Sequence, residues 1–226
     1  MELTYFGQSC FSVVIGGKHL LFDPFITGNE LARDILVDGI PADYILLTHG
    51  HTDHVADAEF IAKRTGAHLI ANDEIVNWFA AKGLTNLHPM NHGGSLKKEF
   101  GTVKMVAATH SSSMPDGSYG GNAGGFLVTS PEGNFYFAGD TALTMDMSLI
   151  PRFAKLDFAV LPVGDNYTMG YEDALLAAEM VQCKKVVAVH YDTFPLIRID
   201  REKVRTHFQK AGYELLMPRI GETIQT

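Results

Sequence analysis

Cysteine is scarce in this sequence, which contains only Cys10 and Cys183 among its 226 residues. The two are far apart and belong to no CxxC pattern, so we expect two reduced thiols rather than a disulfide framework. The N-terminal segment has neither a basic region nor a smooth apolar stretch, which predicts that no secretory signal peptide is present. Together these absences predict a cytoplasmic protein.

Clusters of lysine and arginine are also missing, and the formal net charge is −8. Sequence-independent nucleic-acid binding needs many cations against phosphates, so the composition argues against a nucleic-acid partner. A small anionic substrate stays compatible, because a metal centre supplies positive charge locally. No stretch reaches the roughly 18 apolar residues of a membrane span, so no membrane partner is expected.

What the sequence does contain is an ordinary globular composition, with 46% hydrophobic and 19% charged residues. Its length predicts a single domain over residues 1–226. Short strand-like runs precede helix–strand units in each half, which is typical of mixed sheets with helices on their outer faces. One hairpin is predicted around the glycine turn of CFSVVIGGKHLLFD.

Two helices are expected in the first half of the chain. Asp53 is a plausible N-cap of a helix that ends at Gly66, and Asn72 or Asp73 would begin a second helix that ends at Gly83. Ser111–Gly125 is rich in glycine and is interpreted as a mobile loop beside a site.

The stretch ILLTHGHTDHVADAEF places four candidate ligands directly after a buried strand-like run. His49 and His51 are two apart in an extended segment, so both side chains lie on one side. Further candidates also end apolar strand-like runs, namely His110, Asp140 and His190. Each would be unremarkable alone, but functional groups from distant strands gather at strand ends, so the combination predicts a metal site.

We assign the seven candidates to two metal ions. One ion takes His49, His51 and His110, and the other takes Asp53, His54 and His190, with Asp140 bridging. Imidazole nitrogen and carboxylate oxygen suit zinc, whereas manganese, nickel or iron would accept the same ligands.

This order of motifs, HxHxDH followed by His, Asp and His, resembles the metallo-β-lactamase superfamily. The resemblance spans Asp23 to His190 and implies an α+β fold, a four-layer αββα sandwich of two mixed sheets. LLFDPFITGN, LPVGDNYTMG and VHYDTFPL are similar to small metal-dependent hydrolases related to ascorbate-phosphate lactonase. No cysteine stands at a metal position and no signal peptide is predicted, so antibiotic hydrolysis is not expected.

The resulting hypothesis is a metal-dependent hydrolase with catalytic roles for Asp53 and Asp140. A hydroxide bridging two metals would attack a small anionic ester, either a lactone or a phosphodiester. Asp23 is the expected outer partner of a metal-binding histidine. Further residues predicted to contact substrate are Asn166, Tyr167, Thr168, Tyr191 and Thr193.

Two alternatives stay open at this stage. One is a nuclease acting on RNA or single-stranded nucleic acid, and the other is a non-catalytic, metal-retaining binding or sensing protein. The expected partner is a small-molecule substrate, and the sequence also leaves room for a homo-oligomer. His92 and the Ser111–Gly125 loop are candidates to line or gate the cleft.

Overall fold

The fold is built from fourteen strands and six short α-helices, and the computed structural model describes residues 1–226. The strands are β1 (Glu2–Gly7), β2 (Cys10–Ile15), β3 (Lys18–Phe22), β4 (Tyr44–Leu46), β5 (His68–Asn72), β6 (Leu87–Met90), β7 (Ser95–Lys98), β8 (Gly101–Ala107), β9 (Gly124–Ser130), β10 (Gly133–Phe137), β11 (Phe158–Pro162), β12 (Lys185–Val189), β13 (Glu214–Leu216) and β14 (Thr223–Gln225). The helices are α1 (Thr52–Val55), α2 (Ala58–Thr65), α3 (Asp73–Ala81), α4 (Ile150–Phe153), α5 (Tyr171–Met180) and α6 (Arg201–Lys210).

The strands form two seven-stranded sheets of the same design. The first has the order β14-β1-β2-β3-β4-β5-β6 and the second has the order β13-β12-β11-β10-β9-β8-β7. In the first sheet β14 to β3 pair antiparallel and β3 to β6 pair parallel. The second sheet likewise joins antiparallel strands β7 to β10 to parallel strands β10 to β13.

Three apolar clusters hold four layers together. The central cluster combines strands of both sheets and is rich in phenylalanine; Phe11 of β2 stacks on Phe22 of β3 at 4.6 Å and meets Phe137 of β10 edge-on at 4.9 Å. One outer cluster joins the first sheet to α2 and α3, and the other joins the second sheet to α5 and α6. The predicted αββα sandwich is therefore confirmed.

Several local predictions also hold. β2 and β3 pair antiparallel across Gly16 and Gly17, which both have positive φ, as a tight hairpin turn requires. The Asn72 side chain accepts a hydrogen bond from the Ile75 amide and caps α3, and Gly66 ends α2 in the left-handed conformation. Both cysteines are free and buried.

The helix predicted from Asp53 to Gly66 is instead split into two, so that prediction was wrong. α1 starts after His51 and makes no side-chain cap, and α2 begins only at Ala58. The break lies at Asp57. Its amide donates to the Pro24 carbonyl, and its carboxylate accepts from the Ile26 amide. Tertiary hydrogen bonds thus outweigh helix continuity here.

None of the helices combines the length and the apolar character that crossing a bilayer would require.

Candidate metal centre

The predicted ligands meet at one edge of the sandwich, just beyond the ends of four strands. The HxHxDH segment follows β4 and enters α1, because the amides of His54 and Val55 donate to the His51 carbonyl. The other three arrive after β8, β10 and β12 respectively, namely His110, Asp140 and His190. The seven side chains form two groups, and within each the ligand atoms lie within 4.8 Å of one another.

The first group consists of His49, His51 and His110. His49 is buried, and its Nε2 lies 2.9 Å from Nδ1 of His51. The His110 ring stands 5.1 Å from both other rings and nearly perpendicular to them. Three ring nitrogens therefore converge on one point, as a three-histidine metal site requires.

The second group consists of Asp53, His54, Asp140 and His190. His54 Nε2 lies 3.4 Å from Asp53 Oδ2, and His190 Nε2 lies 3.7 Å from the same oxygen. Asp140 Oδ2 approaches histidine Nε2 atoms of both groups, at 2.9 Å (His190), 3.2 Å (His54), 3.6 Å (His110) and 3.8 Å (His49). Asp140 thus occupies the shared position that the sequence assigned to a bridging ligand.

The protonation states of the two groups differ. Burial lowers the pKa of His49, His51 and His110, which keeps these imidazoles neutral, with lone pairs available. Burial alone would raise the pKa of both carboxyls, but the charges and hydrogen bonds of His54 and His190 hold the pKa of Asp53 and Asp140 far below the usual range.

The attraction between these carboxylates and histidines also acts on the histidines. It outweighs burial, which would lower the histidine pKa, so the pKa of His54 is raised well above its ordinary value and that of His190 is raised to about 9. Asp140, which is buried, and Asp53, which is partly buried, therefore favour positive charge beside them.

The chemistry of this donor set fits divalent cations. His54 Nε2, Asp140 Oδ1 and His190 Nδ1 are buried and have no hydrogen-bond partner. A cation at this edge would neutralise the carboxylates in place of the imidazolium protons and would use the unpaired His54 nitrogen, with release of protons. Imidazole nitrogens and carboxylate oxygens are the ligands that zinc and similar ions bind.

Asp23, predicted as an outer partner, lies directly behind the ligands at the end of β3. It is fully buried, and its carboxylate contacts His54 Nδ1 at 2.8 Å. It also accepts from the Thr48 amide and hydroxyl, and Thr48 Oγ1 lies 3.0 Å from His49 Nδ1. Burial raises the pKa of Asp23, although His54 opposes this. Asp23 therefore orients one histidine directly and a second through Thr48.

Gln8 was missed by the sequence analysis. It is buried, has a positive φ of 52°, and donates from Nε2 to Asp53 Oδ2 at 2.9 Å. The backbone carbonyl of Gln8 accepts hydrogen bonds from the His190 amide and from the Tyr5 hydroxyl. An isolated glutamine in the β1–β2 turn carries no sequence signal for this contact, because only the sandwich brings β1 beside β12's end.

Five of the seven candidate ligands line a cleft of about 990 Å³, namely His51, Asp53, His110, Asp140 and His190. Its other walls are formed by Gly28, Thr52 and Ser111 and by five apolar or aromatic side chains, namely Phe25, Tyr167, Phe194, Pro195 and Leu196. No lysine or arginine lines it.

Of the residues predicted to contact substrate, only Tyr167 lines this cleft. Asn166 lies in an exposed turn and Thr168 donates to the Met169 carbonyl. Tyr191 is buried in the outer core, because the left-handed backbone at His190 and Asp192 reverses the chain there. Thr193 Oγ1 contacts the Tyr191 carbonyl instead, at 3.5 Å. The structure therefore places none of these four residues in the lining of the cleft.

The Ser111–Gly125 loop begins at the cleft and is tied to neighbouring segments. Ser112 Oγ accepts from the Gly50 amide and donates to the Gly120 carbonyl, and Asn72 Nδ2 also donates to Gly120. At the tip, the Trp78 indole donates to Asp116. His92 contacts the Ala123 carbonyl and does not line the cleft.

Comparison with known proteins agrees with this geometry. The model of the β-lactamase superfamily domain matches residues 18–191. A UPF0173 metal-dependent hydrolase of Christiangramia forsetii is 53% identical over 226 residues, and its Bacillus subtilis counterpart YtkL is 46% identical over 230 residues; both alignments cover each chain completely. The solved structure of Igni18, a metallo hydrolase of the archaeon Ignicoccus hospitalis, superposes with a TM-score of 0.89 at 34% identity, covering 99% of this chain and 97% of that one.

These matches extend over the strands and loops that carry all seven ligands. The prediction that the chain is an enzyme is confirmed at the level of a metal-dependent hydrolase. The chain belongs to the metallo-β-lactamase superfamily, among its small metal-dependent hydrolases.

Proposed function

We propose that this protein hydrolyses a small ester at a centre of two divalent ions, with a lactone as the preferred substrate and a phosphodiester as the alternative. The observation that carries the proposal is the pair of ligand groups joined by Asp140. His49, His51 and His110 would hold one ion, and Asp53, His54 and His190 the other, with zinc as the expected metal. When bound, such ions supply Lewis-acid polarisation and a nucleophile at neutral pH.

The two carboxylates have different tasks in this proposal. Asp140 has only 3% of its side chain exposed and faces four histidines, so it acts as the fixed negative charge of the centre. Asp53 has 24% of its side chain exposed and lines the cleft, so it is the group that passes a proton between the centre and the leaving group. Gln8 keeps the Asp53 carboxylate oriented while this occurs.

The proposed substrate is small, and its negative charge, where it has one, lies on the reacting group. In the metal-loaded centre the ions would be the main source of positive charge in the cleft, since no lysine or arginine lines it. The same feature makes a nucleic acid a poor fit, because several phosphates would need cations along the groove. The cytoplasmic location expected from the sequence is part of this proposal.

A substrate panel on protein with counted metal tests the proposal. Metal content is measured by elemental analysis, and neutral lactones, aryl esters and bis-aryl phosphodiesters are assayed for turnover. We expect about two metal ions per chain and turnover of at least one ester class. His51→Ala and Asp140→Ala should each reduce kcat/KM at least 10³-fold, because each removes a metal ligand.

Matched variants control for nonspecific damage. His207→Ala on α6 and Asp146→Ala on the surface change the same residue types away from the centre and should retain both metal and turnover. Undiminished turnover in Asp140→Ala would contradict the proposed role of the centre. A metal-loaded protein that hydrolyses no member of the panel would support the binding or sensing alternative.

A further inference from the structure

We propose that the substrate carries an uncharged, apolar group of aryl or medium-chain alkyl size beyond its scissile bond. The inference rests on the proposed hydrolytic function and specifies the substrate class of that same cleft. It follows from the apolar wall, defined as Phe25, Tyr167, Phe194, Pro195 and Leu196.

The apolar wall leaves large hydrophobic side chains in contact with water. Leu196 is 63% exposed and Tyr167 is 52% exposed, although both belong to a cleft rather than to a convex surface. Side chains of this kind bind apolar ligand surface when they line a concave site beside a few polar groups. The wall faces the metal ligands across one continuous cleft, so a substrate bound at the metals extends along it.

Apart from the candidate metal ligands, few polar side chains line the cleft. Beyond the candidate metal ligands, Thr52, Ser111 and Tyr167 carry hydroxyls, and Ser111 Oγ lies 3.3 Å from His51 Nε2. A charged tail on the substrate would therefore lose hydration in the cleft without gaining a lysine or arginine partner, which is costly. An apolar tail would instead contact the apolar wall.

The first half of the wall is held rigidly in place. The Asp57 carboxylate accepts hydrogen bonds from the amides of Ile26 and Thr27 and from the Thr27 hydroxyl, at 2.6 to 2.9 Å. A Cβ at Gly28 would come within 2.5 Å of the Phe25 ring, so glycine lets this ring lie flat against the returning backbone. Phe25 is thereby fixed before any ligand binds.

The second half of the wall is fixed from the other side. The Asp192 carboxylate accepts from the Ile199 amide and from Arg201 Nε, and the Asp192 amide donates to the Ile197 carbonyl. These bonds close the turn that presents Phe194, whose ring lies 6.3 Å from that of Phe25. A prearranged wall loses little conformational entropy on binding, so apolar contact there translates into affinity.

A binding series with hydroxamic acids tests the inference without requiring turnover, because this headgroup chelates divalent metals. Acetohydroxamic, octanohydroxamic and suberic monohydroxamic acid are titrated calorimetrically into zinc-loaded protein. The last two have equal chain lengths but differ by a terminal carboxylate. We expect octanohydroxamic acid to bind about 50- to 100-fold more tightly than acetohydroxamic acid, since a buried methylene is worth about fourfold and about half of the chain is covered.

Substitutions in the apolar wall test whether it is the source of the tighter octanohydroxamic acid binding. Phe194→Ser and Leu196→Ser should each weaken octanohydroxamic acid binding by about fivefold or more while leaving acetohydroxamic acid binding unchanged. Leu149→Ser replaces a leucine that is 51% exposed and lies outside the cleft, and it should change neither value. Equal affinity for the short and long acids, or tighter binding of the carboxylate-terminated acid, would overturn the inference.

The same series on esters separates this inference from the proposed function. Turnover that is independent of tail length would sink the inference and leave the proposed function intact. Tail-dependent hydroxamic acid binding without turnover of any ester would leave the inference standing and sink the proposed function.

Discussion

Asp23 shows how much a single residue contributes to this centre without binding a metal. It holds His54 directly and reaches His49 through Thr48, so one carboxylate orients a ligand in each group. Outer partners of this kind raise the basicity of the imidazole and fix its tautomer. The sequence predicted Asp23 as the outer partner of a metal-binding histidine from its place at the end of an apolar strand, whereas Thr48 carried no signal at all.

We expect Asp23→Asn to lower the affinity for the ion held by His54 by about 10- to 100-fold, because the carboxylate–histidine pair is lost. Competition against a chromogenic zinc chelator measures this change. Asp43→Asn, which alters an aspartate paired with Lys18 at the surface, should bind metal as the unchanged protein does. An unaltered affinity in Asp23→Asn would show that Asp23 serves folding only.

Gln8→Leu tests the second orienting contact. Leucine keeps the approximate volume but removes the amide that donates to Asp53, so we expect about tenfold weaker binding of one ion and little change for the other. The same chelator titration, read as two separate steps, distinguishes the ions. Gln209→Leu on α6 is the matched control, and identical titrations of the Gln8 variant and that control would refute the role.

At the scale of the element, the strand ends concentrate unusual backbone geometry. Four non-glycine residues at this edge have positive φ: Gln8 at 52°, Asp23 at 41°, His190 at 56° and Asp192 at 65°. Such conformations cost about 1–3 kcal/mol each and persist where the surrounding structure enforces them, most often at functional sites. At Gln8, Asp23 and His190 the side chain turns toward the centre at the first residue after a strand, whereas Asp192 closes the turn that presents Phe194.

The C-termini of two helices provide a contrast, because there the left-handed residue has no functional contact. α2 ends at Gly66, whereas α5 is followed by the exposed Gln182 with a φ of 54°. We expect Gln182→Gly to raise the free energy of unfolding by about 0.5–1 kcal/mol, since glycine removes the left-handed penalty at a small entropic cost.

The reverse change, Gly66→Ala, should lower that free energy by about 1 kcal/mol. A Cβ there has nothing within 4 Å, so only backbone strain contributes. Urea denaturation of both variants measures the two changes in the free energy of unfolding. Destabilisation by Gln182→Gly would mean that its side chain contributes contacts that outweigh the strain.

At the scale of the whole molecule, the two sheets place their strand ends at a common edge. β3 and β4 of the first sheet and β8, β10 and β12 of the second each deliver a residue there. The phenylalanine-rich central cluster fixes how the sheets face each other. It therefore also fixes the distance between the ligands that come from the first sheet and those that come from the second. Metal binding and folding are therefore coupled.

Removal of metal should consequently lower the melting temperature. A ligand present at 100 times its Kd stabilises the folded state by about 2.7 kcal/mol, which corresponds to roughly 5–10 °C in a chain of this size. Differential scanning calorimetry before and after chelation, followed by zinc addition, measures the shift and its reversal. An unchanged melting temperature on chelation would contradict a centre built from both sheets.

Much of this protein was determined by its sequence alone. The period and boundaries of apolar runs predicted mixed sheets with outer helices, because burial of one face imposes a repeat on each element. The resemblance to the metallo-β-lactamase superfamily implied that there are two such sheets, packed face to face. The spacing of the histidines and aspartate in THGHTDH, and the position of His110, Asp140 and His190 after apolar runs, predicted which side chains meet, because strand ends converge at sheet edges.

Only the tertiary structure decided which residues surround that centre. Gln8, Thr48 and Asp57 act through hydrogen bonds to residues 31 to 45 positions away or to an adjacent ligand, and such contacts have no local pattern. The apolar wall joins three loops, of which the one holding Phe25 is more than a hundred residues from those holding Tyr167 and Phe194, so its character comes from packing rather than from any one loop. Short spacings and strand ends in the sequence thus identify the candidate metal ligands. The orientation of those ligands and the proposed substrate preference depend on how the sheets bring distant loops together.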